Sequence, residues 1–341
     1  MISSTIAWTL LLGWAVVIAL HILLSGRTWL WVLPEMIPPI AFVAVPLIAM
    51  GFSLHAASAE NRYWAPALAL VLLGAGQSWS GITLPQLRNT GRSARETMTP
   101  VVIFVWNTEF WDQGKDEESF HRFLRAQAAD VYLLQEYVYF DGGREVPAAG
   151  IERLAASMPD YDVFVEGELV TLVHHRLAPR RKPGVPETMF RTDILVDRAS
   201  IALYNVHMPA PLDLGKSLFT ANFHQFVRTQ ATKRQRAFKA VEELLSEAPS
   251  MLFMGGDFNS SPAMRAMRRL RRRYVDVMRS AKSPYVATWP AKARSLWRID
   301  WALASPQVTV DWARLVDPGG LSDHAGQLCA IRPCPNTPTF A

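Results

Sequence analysis

The sequence predicts an α/β domain carried behind an apolar, N-terminal transmembrane helical anchor. Three observations lead there. Of 35 Lys+Arg and 30 Asp+Glu in 341 residues, only Arg27, Glu35, Glu60 and Arg62 fall in residues 1–86; the rest of the chain is charged like a soluble domain. Three apolar stretches, each near the ~20 residues that cross a hydrocarbon core, fill the charge-poor part. Beyond residue 100, short runs rich in Val, Ile, Leu and aromatics alternate with helix-like or turn-rich segments, as strands and helices of an α/β fold do. That part is long enough for one large core, and a disulfide scaffold, a coiled coil and a disordered chain are excluded.

The apolar stretches are residues 5–24, 37–54 and 63–84. Residues 1–5 hold no Lys or Arg, and no small-residue cleavage site precedes the second stretch, so the first reads as a retained anchor rather than a cleaved signal. Pro38, Pro39 and Pro46 leave the second either crossing, re-entering or lying in the interface. Trp8, Trp29, Trp31, Trp64 and Trp79 stand near stretch ends, as interfacial aromatics do, with Trp14 the exception. His21 reads as an end residue, and with nothing else ionisable deep in a span the region is an anchor and not a transporter. Residues 85–100, PQLRNTGRSARETMTP, are rich in turn formers and lack apolar periodicity. The expected organisation is a membrane anchor of about three helices over 1–86, a linker over 87–99 and a globular domain over 100–335.

A net charge of +5, spread along the chain, selects no partner by itself. Cys329 and Cys334 lack a second Cys/His pair at zinc spacing and read as a short-loop disulfide or two free thiols.

The informative feature of the globular part is how its apolar runs end. Residues 101–106 are followed by Asn107, Val131–Gln135 by Glu136, 201–206 by His207, and 251–254 by Gly255, Gly256, Asp257, Phe258 and Asn259. Arg298, Ile299, Asp300 and Trp301 enter another run, and Ser322, Asp323 and His324 precede a last one at 327–331. Singly, each has an ordinary structural role as a turn cap, a surface carboxylate or a hydrogen-bonded core histidine. As a set they are two Asn, two His and several carboxylates at strand margins, where an α/β arrangement brings side chains from several strands to one cleft.

The ordered motifs W-N (Asn107), D-V-Y-L-L-Q-E (Asp130 to Glu136), N-V-H-M (Asn205 to Met208), G-D-F-N-S-S-P (Gly256 to Pro262), R-I-D-W (Arg298 to Trp301) and S-D-H (Ser322 to His324) resemble the endonuclease/exonuclease/phosphatase superfamily from about residue 100 to 333. In layout the chain resembles the membrane-anchored bacterial members associated with glycopeptide resistance. The resemblance implies a four-layer sandwich of two mixed β-sheets flanked by helices, and divalent-metal-dependent hydrolysis of a phosphoester or phosphoanhydride. It also implies Mg²⁺, with Mn²⁺ as a substitute, held by Glu136 with Asn107 and Asp323 directly or through water. Asp257 would position or activate the attacking water, and Asn259 and His207 would donate to charge developing on phosphoryl oxygens. His324, oriented by Asp300, is either the base or a donor to those oxygens.

Three features carry less weight. His174 and His175 stand where family members often have a Ser-Arg pair, and a second metal site there is not favoured. Six Arg between Arg265 and Arg273 form a solvated or acidic-lipid-facing helix rather than a DNA groove reader, since no aromatics interleave. Residues 212–226 are either a core helix or an apolar lip of the active site that touches lipid. Anchoring raises the effective concentration of lipid at the cleft. The expected function is therefore hydrolysis of a lipid-linked or headgroup phosphate, with a membrane-tethered nuclease and a non-catalytic scaffold as alternatives. The expected location is a multi-pass inner membrane, with an extracytoplasmic active site despite the positive-inside bias, because long domains translocate largely regardless of charge.

Overall fold

The computed structural model describes residues 2–55, 59–83, 99–111, 116–141, 144–147, 150–213, 217, 220–291 and 295–334. The expected linker over 87–99 lies outside the described residues, except for Thr99. The helices are α1 (Ile2–Leu24), α2 (Val32–Glu35), α3 (Ala41–Leu54), α4 (Ala59–Gly76), α5 (Glu117–Ala126), α6 (Ile151–Ser157), α7 (Ala221–Ser246) and α8 (Arg265–Arg273). The strands are β1 (Val101–Asn107), β2 (Val131–Gln135), β3 (Val138–Asp141), β4 (Arg144–Pro147), β5 (Tyr161–Glu166), β6 (Leu169–His174) and β7 (Arg180–Lys182). They continue with β8 (Met189–Val196), β9 (Ala199–His207), β10 (Leu252–Asp257), β11 (Val275–Asp276), β12 (Asp300–Ala304), β13 (Val308–Val316) and β14 (Gly326–Pro333).

One six-stranded sheet runs β13-β14-β1-β2-β6-β5 and the other β11-β12-β10-β9-β8-β7, with β3-β4 a separate hairpin. Both are mixed: β1 is parallel to β2 and antiparallel to β14, and β10 is parallel to β9 and antiparallel to β12. The pleat assigns the layers. On β1, Val101, Ile103 and Val105 join Ile201, Leu203 and Phe253 of the facing sheet in the central core, while Phe104 and Trp106 point the other way into a cluster with Phe120 and Leu124 of α5. The outer face of the second sheet packs Tyr204, Met254 and Leu303 against Phe238 and Val241 of α7 and Met267 of α8. The result is the four-layer sandwich that the motifs implied.

At the N-terminus, α3 packs on both α1 and α4 around Leu11, Phe42, Ala49 and Ala69. Of the three expected spans, one, Ser3–Leu24, is long and apolar enough to cross a membrane. The second becomes α-helical only at Ala41, after Pro38 and Pro39, which cannot continue a hydrogen-bonded helix; its 14 residues reach ~21 Å. The third ends as an α-helix at Gly76 and tightens into a 3-10 turn over Gln77–Trp79. The outer faces stay apolar, with Leu12, Val16, Ile48, Leu70 and Val71 all more than half exposed.

This module is docked on the globular domain. His21 bonds the Ala263 carbonyl through Nε2 at 2.9 Å and accepts from the Trp31 indole at Nδ1. The Arg265 N–H donates to Ser25 Oγ, and the Trp297 indole donates to the Met36 carbonyl at 2.9 Å. Two expectations change here. Trp79 is not an interfacial aromatic: it is buried against His21 and Phe42, with the Arg268 guanidinium 4.9 Å above its ring. Helix α8 is accordingly more than a solvated face, because Arg268 and Arg271 lay their guanidinium groups over the Trp79 and Trp301 rings, and Arg271 donates to the Ser78 carbonyl. Cys329 and Cys334 form no disulfide, and Cys329 is buried on β14.

Candidate active site

The parallel pairs β1/β2 and β9/β10 end together, so residues just past their last hydrogen bonds share one rim. Within the second sheet, Asp257 is paired across β10 with His207 of β9 and with Asp300 of β12, which puts an imidazole and a carboxylate on either side of it. Opposite, Asn107 ends β1 and Glu136 follows β2. Space is tight ahead of Asp257: a Cβ on Gly255 would lie 2.6 Å from Val105 of the facing sheet, and on Gly256, at φ 148°, 1.9 Å from the Val206 carbonyl oxygen of the neighbouring strand. Glycine is thus required at both positions ahead of Asp257. Glu136 (φ 52°) and Asn259 (φ 47°) adopt the left-handed conformation that turns their side chains inward off the strand ends.

Asn107 Nδ2 donates to Glu136 Oε1 (2.9 Å) and Asp257 Oδ2 (3.1 Å), bridging the two sheets. The Asn259 N–H donates to Asp257 Oδ1 at 2.7 Å, and Asn259 Nδ2 donates to the Met208 carbonyl and lies 3.4 Å from His207 Nε2. His207 Nδ1 bonds Glu168 Oε1 at 2.6 Å, which leaves Nε2 facing Glu136 (3.6 Å) and Asp257 (3.9 Å). His324 Nδ1 is held by both Asp300 oxygens at 3.0 and 3.1 Å, with Nε2 4.0 Å from Asp257 and 3.7 Å from Asp323. All eight expected residues therefore lie in one continuous set of contacts of 4.0 Å or less. Asp323 stands at its rim, one oxygen accepting from the Trp289 indole at 2.8 Å.

Burial opposes a charge on His207, but the Glu168 hydrogen bond and charge outweigh it and push the imidazole up to about 9. His324 is likewise disfavoured by burial and raised by Asp300, to about 10. Asp257 is pushed up to about 7, first by burial and then by the Asp300 charge. The site thus offers two cationic N–H donors and a carboxylate able to take a proton near neutral pH.

Glu136, His207 and Asp257 bring ligand atoms within 4.8 Å of one another, as do Asp257, Asp300 and His324. Because the Asn107 amide donates to Glu136 and Asp257 together, a cation replacing that donor would meet two carboxylate oxygens at once. This oxygen-rich set fits a hard divalent cation. His174 and His175 are at the other end of the sheet, where the His174 N–H bonds the Asp130 carbonyl; they belong to neither cluster.

A family model described as the Endonuclease/Exonuclease/phosphatase family matches residues 104–324. The chain belongs to that family. Members of the endonuclease/exonuclease/phosphatase family are in general phosphoester hydrolases. Solved structures similar to this member include an endonuclease/exonuclease/phosphatase from Bacteroides vulgatus (17% identity over 69% of this chain and 99% of that one, TM-score 0.45). Another is the AP endonuclease LMAP from Leishmania major (16% identity, 83% and 98% covered, TM-score 0.48). A third is the 3′ phosphatase NExo from Neisseria bound to a product DNA hairpin (16% identity, 67% and 98% covered, TM-score 0.46). A search of curated proteins finds no match.

Several supporting residues were not singled out from the sequence. Glu168 follows the Gly167 turn (φ 57°) and sits at a strand margin, the same signal that marks the other site residues; its partnership with His207 arises only across strands distant in sequence. Glu109 accepts from the Asp323 N–H at 2.8 Å, the Trp106 indole donates to the His324 carbonyl, and Ser322 Oγ donates to the Asn107 carbonyl. Arg298 is fully buried, clasped by both Asp276 oxygens at 2.6 and 2.8 Å and stacked 3.8 Å from the Trp301 ring centre, which fixes the segment carrying Asp300. Glu168→Gln removes the carboxylate that raises His207, so the imidazolium deprotonates at lower pH. The alkaline limb of the kcat profile is expected to move toward neutrality by ~1–2 pH units; an unmoved limb in a folded variant would remove His207 as a cationic donor.

Proposed function

We propose that this protein is a membrane-anchored, Mg²⁺-dependent hydrolase acting on the phosphate ester or anhydride of a lipid-linked or headgroup phosphate. One observation carries the lipid side of the reading. The cleft over Asp257, about 560 Å³, is lined by Glu136, His207, Asp257 and His324 and also by Met36, Met208, Pro209, Leu212, Met264 and Trp297, which supply apolar wall, with Glu35 among them. Met36 comes from the N-terminal module itself, tied to Trp297. A phosphate held by the ionisable groups therefore has an apolar path toward the helices whose outer faces are hydrocarbon-like, as an amphiphile requires. Leu212 is the described part of the expected apolar lip. Phe223 and Val227 of α7 are buried against Val32, and Leu214, Lys216, Leu218 and Phe219 lie outside the described residues.

In this reading Asp257 orients a water and accepts its proton as the water oxygen attacks phosphorus. The Nε2–H groups of His207 and His324, with the Asn259 amide, meet the charge that builds on the phosphoryl oxygens as the bond to the leaving oxygen breaks. Of the two roles open to His324, donor is favoured, since Asp300 keeps the ring protonated. Glu168 and Asp300 act through the imidazoles they hold. A divalent cation between Glu136, Asp257 and Asn107 would supply Lewis-acid stabilisation of the same oxygens.

Phosphate release from polyprenyl pyrophosphates, phospholipids, nucleotides and DNA, each with and without Mg²⁺, tests the reading. Turnover of an amphiphile is expected to exceed that of its soluble headgroup analogue. Preferential cleavage of DNA would replace the lipid substrate by the nuclease alternative. In this reading α1, α3 and α4 lie in the bilayer with the catalytic domain extracytoplasmic. An alkaline phosphatase fused after residue 341 is then active and a green fluorescent protein fusion dark, and the reverse pattern moves the enzyme to inner-leaflet lipids.

A further inference from the structure

On the far side of Glu35 from the catalytic cleft lies a second cavity of about 500 Å³, which shares Glu35 and Met264 as a common wall with the first. Its chemistry is the inverse of the cleft's. Arg27, Arg234, Lys239, Arg265 and Arg269 line it, against Glu35 and Glu242. Arg269 is paired with Glu242 at 3.3 Å and Lys239 with Glu243 at 3.4 Å. Among the described residues, Arg27 and Arg265 have no carboxylate within ion-pair distance; Arg27 turns back to donate to the Leu23 carbonyl at 3.1 Å. Deeper in, Arg234 is buried (8% exposed) and donates to Ser260 Oγ at 2.7 Å and to the Pro209 carbonyl. Burial and the like charges of Arg27 and Arg269 draw the Arg265 guanidinium below its usual value, against the smaller opposing pull of Glu242.

The place of this cavity in the fold identifies its occupant. It opens where α1 ends: Leu20, Ile22 and Leu23 are exposed on the last turns of the apolar helix, and Arg27 follows three residues after Leu24. An exposed apolar helix surface thus runs directly into the two guanidinium groups, Arg27 and Arg265, that lack an ion-pair carboxylate, at the depth where a helix leaves the bilayer and meets headgroups. We propose that this cavity is a binding site for the phosphate of an anionic lipid headgroup, separate from the catalytic cleft, with the lipid's chains lying along the end of α1. Planar guanidinium groups suit phosphate oxygens, and the proposal goes beyond the substrate reading because occupancy needs no turnover.

The test uses the full-length protein in a non-ionic detergent with chelator, so that phosphatidate is not hydrolysed, and the arginine variants separate this cavity from the cleft. Native mass spectrometry then counts retained phosphatidate against phosphatidylcholine. Preferential retention of phosphatidate is expected, reduced about tenfold or more in an Arg27→Ala/Arg265→Ala double variant and restored in Arg27→Lys/Arg265→Lys. Arg265→Gln alone, at a partly exposed position, repeats the measurement should the double variant fail to fold. Equal retention of the two lipids, or loss that the lysine variant does not restore, overturns the proposal. Displacement of phosphatidate by millimolar inorganic phosphate would make this a free-anion site, and displacement by a short DNA duplex a nucleic-acid surface; either outcome also overturns the lipid assignment.

Discussion

Glu136→Gln is expected to lower Mg²⁺-dependent hydrolysis by on the order of 10³-fold while leaving the melting temperature within a few degrees of wild type. The substitution keeps the side chain's shape and its left-handed backbone position but removes one of the two carboxylates that face each other across the Asn107 amide. Asn107 can still donate to the amide oxygen of the substituted side chain, so the bridge between the sheets persists and the loss falls on cation binding. Isothermal titration with Mg²⁺ alongside turnover separates the two effects. Wild-type turnover in the folded variant, or undiminished activity of the native enzyme in excess chelator, would falsify the assignment of a metal to this position.

Asp300→Asn and His324→Ala should each cost ~10²–10⁴-fold in kcat, and the double variant should be no worse than the more impaired of the two single variants. Asp300 is buried and holds His324 Nδ1 through both oxygens, so its contribution passes through the ring it orients and charges. Once the imidazole is gone, the carboxylate has nothing left to position. Factors that multiply in the double variant would mean that Asp300 serves a separate purpose, such as a ligand in the second cluster it forms with Asp257. A kcat loss with KM unchanged separates an effect on the phosphoryl oxygens from one on substrate binding.

The candidate site was legible to different depths at different residues. Asn107, Glu136, His207, Asp257, Asn259, Asp300, Asp323 and His324 stood out because each terminates or precedes a recognisable apolar run, and the strand order then makes His207 and Asp300 neighbours of Asp257. Glu168 also stands at a strand margin but lies in none of the motifs, and its meaning depends on a 2.6 Å bond to a residue 39 positions away. Trp106 and Ser322 looked like core and turn residues, yet they bond the His324 and Asn107 carbonyls and set where those two ends of chain meet. Glu35 and Met36 read as a short break between apolar stretches, while in the fold Glu35 walls both cavities and Met36 the catalytic one.

By itself, the sequence determined what rests on short-range regularity: the charge-poor apolar front, the strands of the sandwich, the helix after Pro262 and the ordered strand-end motifs that mark the family. These follow from periodicity and from residues adjacent in the chain, where local preference and burial agree. Only the tertiary structure decided what α8 packs against, that Trp79 is buried, and that the N-terminal module forms part of the cleft wall. Six arginines look like a solvated face until Trp79 and Trp301 are found beneath the guanidinium groups of Arg268 and Arg271. Contacts such as His21 to Ala263 and Trp297 to Met36 join positions more than 240 residues apart. No local pattern encodes such pairs, because they are selected by the shape of two finished surfaces packing together.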